Sequence, residues 1–321
     1  MRHAAGAGRH WLIWVPVVPV VVWTLIRVLG LDRDYPLVAL MAFTPYTAVA
    51  ALFVAGIALA LRNWAAAAVA GLATLCLAFA VLPRALGDGT VDPAGRQTLS
   101  VLSANVFHGS ADAEELVEMV KRYRVDLLSV QELTPSFAHK MRRAGLDRLL
   151  PRSIEETSDS DSAAGSGLYS RLPMRKLPGG ERFFFRQPRA VLRMPGGRRV
   201  RVVAIHPIPP GRGVEEIWDD TLDSLPSAGS GPPWILVGDF NATLDIAPFR
   251  DLLDRGYRDA GAVAGEGLEP TFPTMGFGSL PPFITIDHVL ADRRLDVVDY
   301  GVADLPGTDH RTVRAELALP E

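Results

Sequence analysis

An aspartate and an asparagine follow the most apolar strand that the sequence predicts. Residues 234–237 are Trp, Ile, Leu and Val, and Gly238 closes this run. Four large apolar residues bounded by glycine and proline indicate a strand buried on both faces. Because side chains alternate along extended backbone, Asp239 and Asn241 point to one side and Phe240 to the other. Such a pair suits phosphate chemistry, in which a carboxylate aligns or deprotonates water and an amide donates to a phosphoryl oxygen. An Asx turn that only ends the strand is the structural alternative.

Two further polar side chains stand at the ends of predicted strands. Asn105 lies at the end of the β-rich run 98–106, and Glu132 follows the apolar run 125–130. A carboxylate and an amide at neighbouring strand ends can hold one hard divalent cation, which takes oxygen ligands and keeps waters for the substrate. For Glu132 alone, a solvated or helix-capping acid is the alternative.

Histidines and acids recur at the later strand ends. His206 directly follows the run 200–205, where a lone histidine is more often structural than catalytic. Asp287 interrupts an apolar strand, and an unpaired buried carboxylate is so costly that it must have a partner. His310, preceded by Asp309, opens the last strand. A carboxylate such as Asp287 would set its tautomer and raise its pKa. A turn residue is the alternative for each.

In chain order these positions resemble the motif series of the endonuclease/exonuclease/phosphatase superfamily. The segments that carry the resemblance are Asn105, Gln131-Glu132, Ser170-Arg171-Leu172-Pro173, His206, Gly238-Asp239-Phe240-Asn241, Ile286-Asp287-His288 and Thr308-Asp309-His310. The resemblance covers about residues 98–319, and several motifs in register are far more specific than one. It implies a four-layered α/β sandwich of the DNase I-like kind. It also implies hydrolysis of a phosphodiester or phosphomonoester with Mg²⁺, for which Mn²⁺ is the alternative ion.

The resemblance also implies roles for single residues. Those that would hold or lie near the metal are Asn105, Glu132 and Asp309. Those that would be catalytic are His206, Asp239, Asn241, Asp287 and His310. In the second group Asp239 aligns or activates water and Asn241 contacts phosphate, while Asp287 orients His310.

The sequence departs from the family pattern at two points. Thr308 stands where members usually carry serine, a tolerable change because either hydroxyl can cap the turn. No acid that would partner His206 is recognisable in the sequence, so the detailed role of His206 stays open.

Residues 1–83 differ in composition from the rest of the chain. They contain five Arg and two Asp but no Lys or Glu. Three apolar runs lie at about 11–29, 37–61 and 65–82. Each is close to the length that crosses roughly 30 Å of hydrocarbon. We therefore predict three transmembrane helices in residues 1–83, a linker over 84–97 and a catalytic domain over 98–321. A cleaved signal peptide would account only for the first run.

The arginines before the first helix predict the orientation. Arg2 and Arg9 favour a cytoplasmic N-terminus, so three crossings place the catalytic domain outside the cytoplasm. Three membrane helices ahead of such a domain resemble the architecture of the VanJ-type teicoplanin-resistance proteins. That resemblance implies a lipid-linked pyrophosphate, such as undecaprenyl pyrophosphate, as substrate.

The balance of acidic and basic residues helps to decide between nucleic acid and lipid as the binding partner. The chain has 33 basic and 36 acidic residues, and most of this charge follows residue 83. Non-specific nucleic-acid binding gains affinity from a cationic surface, which this acidic domain lacks. Membrane lipid is therefore favoured over nucleic acid, and no protein partner is inferred. An anchored extracellular nuclease or sphingomyelinase-like phosphodiesterase stays open, as does a membrane scaffold without activity. The only basic cluster near the motifs is Arg171, Arg186 and Arg189.

The sequence also predicts a long loop over residues 261–283. It carries Phe272, Phe277 and Phe283 between glycines and prolines. Aromatic side chains of this kind dip into a membrane interface, or they cover the edge of a core.

Overall fold

The computed structural model describes residues 11–157, 163–179, 184–276 and 278–320. Phe277 and the arginines Arg2 and Arg9 lie outside the described residues. The helices are α1 (Trp14–Leu29), α2 (Leu37–Leu40), α3 (Thr44–Ala60), α4 (Trp64–Val81), α5 (Pro83–Leu86), α6 (Ala113–Arg122), α7 (Pro135–Arg143), α8 (Leu146–Leu149), α9 (Glu215–Asp223), α10 (Ala247–Asp254) and α11 (Ala260–Ala264). The strands are β1 (Thr98–Asn105), β2 (Leu127–Gln131), β3 (Arg152–Glu156), β4 (Ser166–Ser170), β5 (Met174–Leu177), β6 (Arg189–Arg193), β7 (Arg199–Ile205), β8 (Trp234–Asp239), β9 (Tyr257–Asp259), β10 (Asp287–Asp292), β11 (Asp296–Asp304) and β12 (Arg311–Ala318).

The strands form two six-stranded sheets. Their orders are β11-β12-β1-β2-β4-β3 and β5-β6-β7-β8-β10-β9. Each sheet is mixed, since β1 with β2 and β7 with β8 are parallel and the other named neighbours are antiparallel. The two parallel pairs direct the carboxyl ends of their strands toward one edge, which is where polar residues can leave the core.

The core has the layering expected of an α/β sandwich. Val101 of the first sheet and Val202 and Val237 of the second belong to one buried cluster between the sheets. Phe137 of α7 covers the outer face of the first sheet, and Trp218 of α9 covers that of the second. The sequence-based prediction of a helix-sheet-sheet-helix sandwich is therefore confirmed.

Helix α6 shows how local sequence sets these layers. Its apolar residues Leu116, Val117 and Val120 lie on one buried face at helical spacing. Asp112 accepts hydrogen bonds from the backbone N–H groups of Glu114 and Glu115 and so caps the first turn. The helix packs on the first sheet and supports the ends of β1 and β2.

Several elements differ from the sequence-based prediction. Asp287 was predicted to interrupt an apolar strand, but it is the first residue of β10, and Ile284 before it pairs with Phe272 in an isolated bridge. Helix α11 begins one residue before the predicted loop over 261–283 and occupies its first four residues. The short strands β3, β5 and β9 were not predicted; β3 and β5 contain no fully buried residue, so they lack the apolar alternation that marks a strand.

The prediction of three membrane-spanning helices is not confirmed. Helix α1 has 16 residues, which is about 24 Å and short of the bilayer core. Two helical segments, Leu37–Ala60 and Trp64–Val81, are long and apolar enough to span a membrane by length and composition. Only 22% and 28% of their most apolar windows is buried, whereas a core helix of a globular protein is mostly buried. Large apolar side chains such as Phe53 and Phe79 are 66% and 84% exposed.

The N-terminal helices pack on the domain that the two sheets form. Val38 and Met41 belong to the same buried cluster as Phe249 of α10. The segment predicted as a linker also follows the domain surface, since the backbone N–H of Asp88 donates to Val263 and that of Val91 to Val297. The helices are thus seated on the outer layer of the second sheet.

Candidate functional site

Four strand ends meet at one edge of the sandwich. Asn105 ends β1, and Glu132 directly follows β2. Asp239 ends β8 and lies opposite Asp287, the first residue of β10, in the antiparallel register. Nδ2 of Asn105 lies 3.2 Å from Oε1 of Glu132 and 3.1 Å from Oδ2 of Asp239, so one amide bridges the two sheets.

A glycine makes the approach of β7 and β8 possible. Gly238 has φ 153°, and a Cβ there would lie 2.0 Å from the carbonyl oxygen of Ile205. Only glycine fits this position. His206, which follows Ile205, is thereby held beside the catalytic carboxylates: its Nε2 lies 3.7 Å from Asp239 and 4.0 Å from Glu132.

Two of the predicted site residues adopt left-handed backbone. Glu132 has φ 56° and Asn241 has φ 50°. The backbone N–H of Asn241 donates to Oδ1 of Asp239 at 2.8 Å, and its Nδ2 donates to the carbonyl of Pro207 at 3.1 Å. Oε2 of Glu132 accepts from the backbone N–H of His108 at 2.8 Å. These bonds hold conformations that cost free energy, as is frequent at functional sites.

Asp287 and His310 form a buried pair. Oδ2 of Asp287 lies 2.9 Å from Nδ1 of His310, the contact that the sequence predicts. Nε2 of His310 then faces Oδ2 of Asp239 at 3.7 Å. The Thr308 hydroxyl accepts from the backbone N–H of His310 and donates to the carbonyl of Asn105, so this threonine caps the turn as expected.

The buried charges shift one another's protonation. Burial lowers the pKa of His310, but the charges of Asp287 and Asp239 outweigh it and raise the pKa to about 10. Burial, together with Asp287, raises the pKa of Asp239 to about 7 against the opposing effect of His310. Burial and the nearby His310 lower the pKa of His206 to about 3. At neutral pH His310 is therefore a cation and His206 is neutral.

One cluster of possible ligands is better explained as a hydrogen-bonded network. Ligand atoms of Asp239, Asp287 and His310 all lie within 4.8 Å of one another. Nδ1 of His310 and Oδ2 of Asp287 already contact each other at 2.9 Å, so these two ligand atoms are engaged within the protein.

Glu132 and Asp309 fit a divalent cation better. Both are half-buried, whereas Asp239 and Asp287 are almost completely buried. Oδ1 of Asp309 is buried and has no hydrogen-bond partner among the described residues. Burial raises the pKa of Asp309 against the opposing charge of His310, and the charge of Glu132 adds to the rise. A hard cation would satisfy both.

Asn105, which was predicted to hold or lie near the metal, also contacts two carboxylates. Its Nδ2 faces Glu132 and Asp239, while its Oδ1 accepts from the backbone N–H of Phe107 at 3.0 Å. In this arrangement the amide orients the two carboxylates, and its oxygen accepts one backbone hydrogen bond. The structure thus brings all eight predicted site residues into one contact network, with Asn105 at its centre.

Three site neighbours were not assigned from the sequence. Nε2 of His108 lies 3.4 Å from Glu132. The ring of Phe185 lies 4.7 Å from that of His206, and the ring of Phe272 lies 4.8 Å from that of His310. Only Phe272 had a signal, as an aromatic residue in the long loop.

The family of the chain follows from comparison with known proteins. The profile of the Endonuclease/Exonuclease/phosphatase family matches residues 102–310. The chain therefore belongs to this family and is a phosphoester hydrolase. Enzymes of the family depend on divalent metals, which agrees with the acidic site.

Solved structures agree on the fold. A family member from Bacteroides vulgatus has a TM-score of 0.52 at 16% identity and covers 70% of this chain and 100% of its own. A humanised TDP2 from D. rerio has a TM-score of 0.54 at 15% identity and covers 68% and 98%. A mannosyl-6-phosphatase from Bacteroides thetaiotaomicron has a TM-score of 0.50 at 18% identity and covers 69% and 100%. No curated protein matches the sequence.

Proposed function

We propose that this protein is a membrane-anchored, Mg²⁺-dependent phosphatase of a lipid-linked pyrophosphate, with its catalytic domain outside the cytoplasm. One observation carries the proposal: the catalytic site and the apolar helices share a wall. The hydroxyl of Tyr46 in α3 donates to the carbonyl of Phe283 at 2.7 Å. The backbone N–H of Phe283 donates to the carbonyl of Phe272, whose ring lies against His310. The mouth of the site is thereby held near the helices.

The helix directions support a membrane anchor in which α3 and α4 cross the bilayer and α1 packs against them. Arg27 near the end of α1 bonds to Asp245 of the domain, Tyr46 near the start of α3 bonds to Phe283, and Arg84 after α4 also bonds to Asp245. Helix α1 packs against both α3 and α4. The three helices therefore run toward, away from and again toward the domain, which places the start of α1 on the far side of the helices.

The proposed mechanism is in-line hydrolysis. Asp239 accepts a proton from water, whose oxygen forms a bond to phosphorus as the bond from phosphorus to the leaving oxygen breaks. The protonated Nε2 of His310 donates to the charge that builds on the phosphoryl oxygens. Nδ2 of Asn241 donates one N–H to Pro207, and its second N–H, which has no partner among the described residues, can serve the same purpose. A cation held by Glu132 and Asp309 would supply neutralisation of phosphate charge.

The competing substrates are less well supported. Arg171, one of the basic residues that a nuclease could use, is bonded to Asp126. This ion pair offsets the positive charge that Arg171 could offer to a nucleic-acid backbone.

The test is a comparison of substrates with the purified full-length protein. We expect release of inorganic phosphate from undecaprenyl pyrophosphate in Mg²⁺, with little cleavage of DNA or sphingomyelin. A matched Asp239→Asn preparation controls for contaminating phosphatases. Efficient DNA cleavage without phosphate release from the lipid would identify a nuclease, and preferred sphingomyelin cleavage would identify a lipid phosphodiesterase.

A further inference from the structure

An apolar cleft lies where α3 and α4 meet the catalytic domain. We propose that it holds the hydrocarbon chain of the lipid whose phosphate is hydrolysed, an inference that rests on the proposed function. The cleft has a volume of about 510 Å³, within the roughly 300–1,000 Å³ of small-molecule sites. Its apolar lining includes Pro45, Val49 and Leu52 of α3, Ala78 of α4, and Leu268 and Phe283 of the domain.

Most of the polar groups in the wall are engaged within the protein, and the exception is the buried Nε of Arg84, which has no partner among the described residues. Arg84 and Asp245 line one end of the cleft and are bonded to each other at 2.6 Å. The hydroxyl of Thr74 donates to the carbonyl of Ala70, and that of Thr285 donates to Glu269. The cleft therefore offers little to a charged headgroup and suits an alkyl or isoprenoid chain.

The cleft is continuous with the apolar outer surface of the helices. Val49 and Leu52 line it, yet they are 57% and 61% exposed. They belong to the 24-residue helical segment that is long and apolar enough to span a membrane. If this segment lies in a bilayer, the medium next to the cleft is hydrocarbon. A lipid chain is then the occupant that can enter from this side without crossing water.

The cleft also leads toward the catalytic site. Phe283 lines the cleft, and its ring stacks on Phe43 at 6.1 Å. The backbone N–H of Phe283 donates to the carbonyl of Phe272 at 3.0 Å. The ring of Phe272 lies 4.8 Å from that of His310. A single short backbone pairing thus separates the wall of the cleft from the wall of the site, so one lipid can place its chain in the first and its phosphate in the second.

The test fills the cleft and compares two substrates. Ala78→Trp places a ring in the cleft, and Leu75→Trp on the same helix is the control, since Leu75 is 69% exposed and outside the lining. We expect Ala78→Trp to raise KM for undecaprenyl pyrophosphate at least about tenfold, the equivalent of excluding about two methylene groups. Hydrolysis of soluble p-nitrophenyl phosphate should not change, which also shows that the variant folds. Leu268→Trp fills the cleft from the domain side and should act alike.

A binding measurement separates this inference from the proposed function. A diazirine-bearing polyprenyl phosphate should label α3 or the segment around Leu268 in the wild type, and Ala78→Trp should lose that label. Labelling of the cleft without lipid hydrolysis would overturn the proposed function and leave the lipid-chain site standing. Lipid hydrolysis that Ala78→Trp and Leu268→Trp leave unchanged, with labelling elsewhere, would overturn the cleft and leave the function standing.

Discussion

Arg84 of α5 donates a hydrogen bond of 2.6 Å to Asp245 of the catalytic domain, and both side chains are buried. Arg27 of α1 bonds to the other oxygen of the same carboxylate at 3.0 Å. Asp245 lies in the loop that follows Asp239 and carries Asn241. One carboxylate therefore links two N-terminal helices to the backbone that positions the proposed base and phosphate ligand.

Removal of this carboxylate should destabilise the protein strongly. Asp245→Ala leaves two buried arginines unpaired, for which we expect a loss of about 3–5 kcal/mol in the free energy of unfolding. Asp251→Ala removes an exposed partner of Arg33 and should cost less than about 1 kcal/mol. Thermal unfolding of both detergent-solubilised variants measures the difference. Equal melting temperatures would show that the helices are only tethered to the domain.

The strands and some site contacts could be predicted from the sequence, whereas the contacts between the N-terminal helices and the domain could not. The strands that carry Asn105 and Asp239 were predicted because their apolar runs are uninterrupted. The contact of Asp287 with His310 was predicted because a buried carboxylate needs a partner. The contact of Asp245 with the helices has no such signal, since its partners lie at sequence separations of 218 and 161.

Other differences also have physical causes. Helix α11 is short and begins in a glycine-rich segment, yet Asp259 caps it by accepting from Ala262. The orientation of the Asn105 amide depends on the backbone N–H of Phe107, which only the folded chain brings into place. The length of α1 was overestimated because apolar composition alone does not fix where a helix begins.

Substitution of the proposed metal ligands should lower metal affinity and activity together. In Glu132→Gln and Asp309→Asn we expect rates to fall by about 10²–10³, the usual effect of losing one preorganised electrostatic group. Mn²⁺ binding, followed by electron paramagnetic resonance, should weaken in both variants. Glu118→Gln is the control, since its side chain is 58% exposed on α6. Full activity in EDTA would contradict the metal requirement. Loss of Mn²⁺ binding in Asp287→Asn but not in Glu132→Gln would show that the ion binds at the cluster of Asp239, Asp287 and His310 instead.

The pH dependence of kcat/KM should be bell-shaped. Asp239 must be ionised to accept a proton, so activity falls as pH drops through its pKa of about 7. A bound cation would lower the pKa of Asp239 and so move the acid limb to lower pH, because positive charge favours the ionised carboxylate. His310 must stay protonated to donate, so activity falls as pH rises through its pKa of about 10.

Asp287→Asn tests the origin of the alkaline limb. It removes a charge that raises the pKa of His310, so the limb should move to lower pH. Asp259→Asn is the matched control, because Asp259 pairs with the buried His288 at the same 2.9 Å outside the site. It should lower stability and leave the limb unchanged. An alkaline limb that stays in place in Asp287→Asn would show that His310 is not the group that titrates.

We predict that the catalytic domain lies outside the cytoplasm. Helix α3 runs away from the domain and α4 runs back toward it. The start of α3 and the end of α4 therefore lie on the domain's side, and the turn between the two helices lies on the opposite side. With the domain outside, alkaline phosphatase fused after the last residue of the chain should be active, because that reporter folds only outside the cytoplasm. The same reporter fused after Arg62, in the turn between α3 and α4, should be inactive. A cytoplasmic reporter at the two positions should give the reverse pattern. Activity of alkaline phosphatase at Arg62 and not at the C-terminus would place the domain in the cytoplasm, and equal activity at both positions would show that α3 and α4 do not cross the membrane.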